Sequence, residues 1–238
     1  MKASGKTNGT SVNALAASSS TKKRSVKASY HHGDLRNAML QEGRKFLEES
    51  GIKELSLREI ARRAGVSEAA PSWHFGGKDG LLAGIASEGY LELLSERKRI
   101  ASSDLALVDK VRAMMVSYVQ FALANRGLFN LMLGPRVLDF QAYPELRESS
   151  MASFNLFADT VKDLAVETGW PKEQSTLAAH AAWSVEHGLA TLILSTRMPR
   201  PGVEMEIMIG CSIDLMIRSI VLGPIPLTGT GTSHRHKR

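Results

Sequence analysis

Apolar positions recur with helical spacing from Asp34 to Leu222, and no window alternates as a strand would. Leu35, Ala38, Met39, Phe46 and Leu47 make one face of a first helix, with Asp34 placed to cap it and Gly51 to stop it. Ser56-Leu57-Arg58-Glu59 then reads as a capping box, in which Ser and Glu satisfy orphan amide donors reciprocally. It opens a short second helix that turns Leu57, Ile60 and Ala61 inward and stops at Gly65. A longer helix from Asp79 to about Arg99 carries Leu82, Ile85, Gly89 and Leu93 on one face. Asp104 is placed to cap the next, whose stripe is Val108, Val111, Met115, Tyr118 and Ala122. A short piece from Leu128 to Leu133 precedes the Gly134-Pro135 break. Three long helices follow. Residues 145–168 present Leu146, Phe154, Phe157, Val161 and Leu164, and residues 172–196 present Leu177, Ala181, Val185, Leu189 and Leu192. Residues 203–222 repeat Met205, Ile209, Ile213, Met216 and Ile220. The pattern predicts an all-α protein of about nine helices without a solenoid repeat.

Between the second and fourth helices lies AGVSEAAPSWHF, residues 64–75, where a core helix would carry leucines. Ala61 is small enough for the next helix to pack close. Gly65 tolerates the left-handed backbone of a tight turn, and Val66 fills the gap. Ser67 is placed to cap the third helix, and Glu68 suits its positive N-terminal end. Pro71 loses only an early hydrogen bond there. Ala69, Ala70 and Ser72 keep the outer face low, as a helix entering the DNA major groove requires. A small-residue face packed on another helix fits the same pattern.

Charge changes the picture by where it sits. The chain of 238 residues carries +6, of which the two ends supply +9 and residues 29–223 are left with −3. Lys2, Lys6, Lys22, Lys23, Arg24 and Lys27 stand in an N-terminal stretch without an acid, rich in Ser, Ala and Thr and expected to be disordered. Arg235, Lys237 and Arg238 close the chain. Such arms seek phosphates, although a merely solubilising role fits the C-terminal one equally. Residues 29–80 hold eight basic and eight acidic side chains, so DNA binding there requires the charges to be sorted onto one face. No apolar run approaches the ~18 residues of a membrane span, the N-terminus lacks the apolar core of a secretory signal, and the single Cys211 allows no internal disulfide. These features point to a cytoplasmic protein without a membrane partner.

YHHGDLRNAML at 30–40 and LSLREIARRAGVSEAAPSWHFGGKDGLLAGI at 55–85 resemble the N-terminal domain of TetR-family transcriptional regulators. LMLGPRVLDFQAYPELR at 131–147 and AAWSVEHGLATLIL at 181–194 resemble the C-terminal domain of the subgroup named for a Trp-His-Gly motif. The resemblance implies a homodimeric, usually repressing protein that binds a palindromic operator in double-stranded DNA and takes a small effector in its C-terminal domain. It divides the chain into a basic tail at 1–28, a helix-turn-helix domain at 29–78, a ligand-binding and dimerisation domain at 79–223 and a second basic tail at 224–238. Ser56 and Arg58 match positions that touch phosphate or base, and Ser67 and Ala69 lie at the groove-facing start of the recognition helix. The motif continues through Ser72, Trp73 and His74. Ser72 stands where the family usually has a phosphate-binding Tyr, and the Trp73 indole is the nearest replacement donor. Lys78 matches the family lysine at the start of the fourth helix, where a helix terminus and a cation both favour phosphate.

Met115, Tyr118, Phe121, Phe154, Phe157, Trp183 and His187 are the candidates for an adaptable apolar pocket, although each alone fits a core position equally. His187 lies four residues after Trp183 on the same face; it either orients a ligand or is a core histidine bonded to a carbonyl, the role favoured here. Gly188 suggests close helix approach. Dimerisation is expected through helices 172–197 and 203–222, with Cys211 as a buried, inert thiol. Nothing in the sequence calls for a cofactor, a metal or catalysis: there is no phosphate loop, HExxH, GxSxG or Cys/His ligand spacing, and His31-His32 and His234/His236 make poor metal sites. Two rival readings remain, a helical protein-interaction module that has lost DNA binding and a TetR-like regulator without an effector.

Overall fold

A computed structural model describes residues 32–133, 138–195 and 204–224. The two basic tails, the Gly134-Pro135 break and the prolines at 199 and 201 lie outside them. Among the described residues there are nine α-helices, one 3-10 turn and no strand. The helices are α1 (His32–Glu54), α2 (Leu57–Ala64), α3 (Ala70–Phe75), α4 (Lys78–Ala101), α5 (Leu107–Ala124), α6 (Arg126–Leu133), α7 (Pro144–Glu167), α8 (Ser175–Leu194) and α9 (Met205–Val221). All nine belong to one compact unit.

The core forms two clusters. Met39, Leu40, Phe46 and Leu47 of α1 join Ile60 of α2, Leu81, Leu82 and Ile85 of α4, and Leu128, Phe129 and Leu131 of α6. The second gathers Val111, Met114, Met115 and Val119 of α5 with Phe157, Val161 and Leu164 of α7, alanines of α8 and isoleucines of α9. α4 is the link between them: Leu81 to Tyr90 are buried, Glu88 excepted, and Ile100 at its far end belongs to the second cluster.

Several local expectations are revised. Ser56 is the extended N-cap of α2, but its side chain makes no capping bond. Glu59 accepts instead from Arg62 Nε at 2.8 Å and Arg63 Nε at 2.9 Å, because two guanidiniums outbid one amide. α3 begins at Ala70, so Ser67 contributes a backbone carbonyl to Ala70 N–H and no side-chain cap. α5 begins after Ala106 rather than at Asp104. Helical turns of α1 run past Gly51, which interrupts them at φ 79°. The 172–196 segment opens as a 3-10 turn at Lys172–Gln174.

The largest revision concerns α8. It buries Ala178, Ala179, Ala182, Glu186, Leu189 and Ala190, while Leu177, Ala181 and Leu192 face outward. Close packing against α5 and α7 selects the small side chains and leaves the leucines outside. Within one chain Cys211 is exposed rather than buried, and a side chain at Gly188 would meet open space rather than a neighbouring helix.

Candidate functional sites

The turn between α2 and α3 is built by Gly65. At φ 66° it sends its N–H to Arg62 O, and Val66 N–H reaches Ala61 O at 3.0 Å. This is the Schellman arrangement that satisfies the last carbonyls of a helix. Pro71, buried in the first turn of α3, and half-buried Val66 and Phe75 hold that short helix against the core. Its other side is open. Ser67, Ala69 and Ser72 are exposed, and Trp73 is 84% exposed, far beyond what burial energetics alone would select. His74 is half-buried and packs edge-on to Trp73. Arg58 lies beside this surface with Ser56, and Lys78 starts α4, its Nζ 3.4 Å from Lys53 O.

The sorting of charge takes a particular form. Six of the eight basic side chains in residues 29–80 are ion-paired: Arg36 to Glu145, Arg44 to Glu92, Lys45 to Glu42, Arg58 to Glu68, Arg62 to Glu59, and Arg63 to Glu49 and Glu59. The Arg62 and Arg63 hydrogen bonds hold the Glu59 carboxyl down at about 2.

A cavity of about 380 Å³ lies among α4, α5, α7 and α8. Leu93, Phe140, Phe154 and Trp183 supply apolar wall, with Tyr90, Tyr118, Ser150, Ser153 and His180 as polar handles and the Arg97 guanidinium among them. Tyr90 donates to Met132 O at 2.9 Å, and burial alone pushes its hydroxyl pKa up. The Tyr118 hydroxyl lies 3.0 Å from His187 Nδ1. His187 is thus bonded to a hydroxyl rather than a carbonyl, and burial lowers its pKa. Its ring stacks on Phe129 and Trp183 and lines a neighbouring cavity with Thr191. Of the other candidates, Tyr118, Phe154 and Trp183 line the main cavity, Met115 and Phe157 lie fully in the core, and half-buried Phe121 packs against the N-terminal cluster.

Sequence reasoning missed the pair beneath this wall. Arg97 and Glu186 are paired inside the core, Nη2 donating to Oε1 at 3.0 Å. Arg97 Nη1 also donates to Ser153 O at 2.8 Å, and the guanidinium lies over the Phe157 and Tyr118 rings. Burial outweighs the neighbouring cation and pushes the Glu186 carboxyl up to about 8. The available signal was a lone acid inside AAWSVEHGLATLIL.

Two family models match this chain: "Bacterial regulatory proteins, tetR family" over residues 39–85 and "Tetracyclin repressor-like, C-terminal domain" over residues 111–209. Together they span more than half of it. The chain belongs to the TetR family. Its fold and helix-turn-helix are those of a DNA-binding transcriptional regulator, and the family is one of bacterial regulatory proteins. Among relatives, it is 26% identical over 167 residues to the nucleoid occlusion factor SlmA of Vibrio cholerae, covering 67% of this chain and 84% of that protein. A protein of unknown function from Rhodococcus sp. RHA1 has the same fold at TM-score 0.70 and 31% identity, over 81% of this chain and 98% of that one. A TetR variant from Acinetobacter baumannii in complex with minocycline shares the fold at TM-score 0.54 and 18% identity, over 76% and 93% of the two chains. No helix among the described residues is long and apolar enough to cross a membrane.

Proposed function

We propose that this TetR-family protein is a homodimeric cytoplasmic repressor that leaves a palindromic operator when a small, largely apolar effector enters the cavity among α4, α5, α7 and α8. The observation that carries the reading is α4. Its first residue, Lys78, stands beside the recognition helix, and its last turns supply Leu93 and Arg97 to the cavity wall. One rigid element therefore bears both events. The TetR variant with minocycline is a member of the same fold that holds a small molecule.

The DNA contacts in this reading are Ser56, Arg58, Ser67, Ala69, Ser72, Trp73, His74 and Lys78, aided by the basic N-terminal arm. The working division is a reading unit to residue 78 and a sensing and pairing unit from 79 to 223. Pairing uses α8 and α9, where Leu177, Leu192, Met205, Ile207 and Leu215 stand exposed on one chain. Large apolar side chains grouped in this way mark a protein surface that is covered. Pairing there also covers Cys211 and gives Gly188 a neighbour.

The test is selection from random duplex DNA by the purified protein at two salt concentrations, followed by a small-molecule screen for release. A two-fold symmetric motif with half-sites about one helical turn apart supports the reading. Salt-sensitive capture without an enriched sequence leaves only the basic tails to account for DNA affinity. No capture at either salt favours a protein-interaction module instead.

A further inference from the structure

The polar groups of the cavity wall are four hydroxyls, the His180 imidazole, the Trp183 indole and the Arg97 guanidinium, and no lining residue is an acid. That guanidinium is incompletely satisfied. Nη1 and Nη2 have partners, but Arg97 Nε has none, on a side chain only 5% exposed. Glu186 Oε2, fully buried beside it, is also without a partner. A buried donor left unpaired forfeits its hydration without compensation, and more so when it is charged, so native structures rarely leave one without a purpose.

We propose that the cavity selects an amphiphilic monocarboxylate, whose apolar body lies against Leu93, Phe140, Phe154 and Trp183 and whose carboxylate bonds to Arg97 with help from the Ser153 hydroxyl, which accepts from Arg97 Nη1 and keeps its own proton to donate. This rests on the effector reading above and narrows it to a chemical class. Burial pushes the Glu186 carboxyl toward its neutral form. It then neutralises Arg97 only in part, and the ligand carboxylate supplies the rest of the counter-charge. The other titratable groups facing this region are Tyr90 from α4, Tyr118 from α5, and His180 and His187 from α8. Both tyrosines have pKa values raised by burial and His187 has one lowered by it, so these three stay neutral as Glu186 ionises. α7 contributes only hydroxyls and apolar groups to the wall.

The experiment is calorimetric titration of the full chain with decanoate, decanol and decylamine, which share one apolar body and differ in the head. Decanoate is expected to bind about tenfold or more tightly than decanol, the scale of one charge-assisted hydrogen bond, and decylamine most weakly. Between about pH 7 and about pH 9 the decanoate affinity of the parent should fall as Glu186 ionises and competes for Arg97, whereas Glu186→Gln should hold it constant. Equal binding of decanol and decanoate overturns the carboxylate assignment and leaves the effector reading standing. Preference for decylamine overturns it in favour of Glu186 as the recognition group. Binding by none of the three overturns the proposed class, while the effector reading is still judged by the operator-release screen.

Discussion

Arg58 and Glu68 face each other across the turn that joins α2 to α3, Nε to Oε1 at 3.0 Å. Both are largely exposed, so the pair contributes at most about 1 kcal/mol to folding. Its significance lies in binding, because it occupies an arginine expected to meet DNA and keeps an acid at the same surface. Glu68→Gln should tighten operator binding several-fold and steepen its salt dependence, since phosphate replaces the lost partner. Arg58→Ala should weaken binding without altering dimer mass. Fluorescence anisotropy across a salt series, with sedimentation for mass, reads both.

Trp73 contributes almost nothing to the fold at 84% exposure. Trp73→Ala should leave the thermal midpoint within the range of an ordinary surface change, about 0.5 kcal/mol either way, while operator affinity drops at least tenfold. A melting curve and a binding isotherm on the same preparation separate the two effects. Unchanged affinity would remove the indole from the DNA surface.

A side chain at Gly80 would overlap the Phe75 carbonyl oxygen, which is backbone and cannot swing aside. Gly80→Ala should therefore push α3 away from α4, at a cost of about 1–3 kcal/mol. Operator binding should be lost and self-association kept, which electrophoretic mobility shift and light scattering would show together.

The Glu186 carboxyl is pushed up by burial to about 8 from an ordinary 4.5. Between those two values the folded chain holds a proton that the unfolded chain has released, so stability from this group falls as pH rises through the window. Glu186→Gln should flatten that fall and match the parent most closely at the acid end. Denaturant midpoints of both proteins from about pH 5 to about pH 8 test the sign. A parent curve no steeper than the variant's would mean that Glu186 stays ionised in the fold.

Helix positions and the α2–turn–α3 unit were legible because glycine and apolar spacing report backbone geometry directly. Gly65 stands where a left-handed residue was required, and Ile60 and Ala61 point inward as read. The errors share another cause. In α8 hydropathy favoured Leu177 and Leu192, but the space between α8 and its neighbours admits only Ala178, Ala179 and Ala182. At Ser56 and Glu59 the local pattern promised a capping box, and two nearby arginines took the acid. Arg97 and Glu186 were invisible because charge in a helix normally means solvent, and only the fold brings residues 89 positions apart to 3.0 Å. Three of the seven cavity candidates line the main wall; the others have the same residue types and spacing in the core or beside it.

α4 is encased along most of its length, from Leu81 to Tyr90 and again at Leu93, Arg97 and Ile100. Its 24 residues span about 36 Å at the usual rise per residue. A rod held in this way has no slack in which to absorb a disturbance by bending or by rotating side chains. A tilt of about 5° imposed near Arg97 becomes a displacement of about 2.5 Å near Lys78, most of the spacing of successive base pairs. The helix therefore acts as a lever whose long arm ends at the DNA surface.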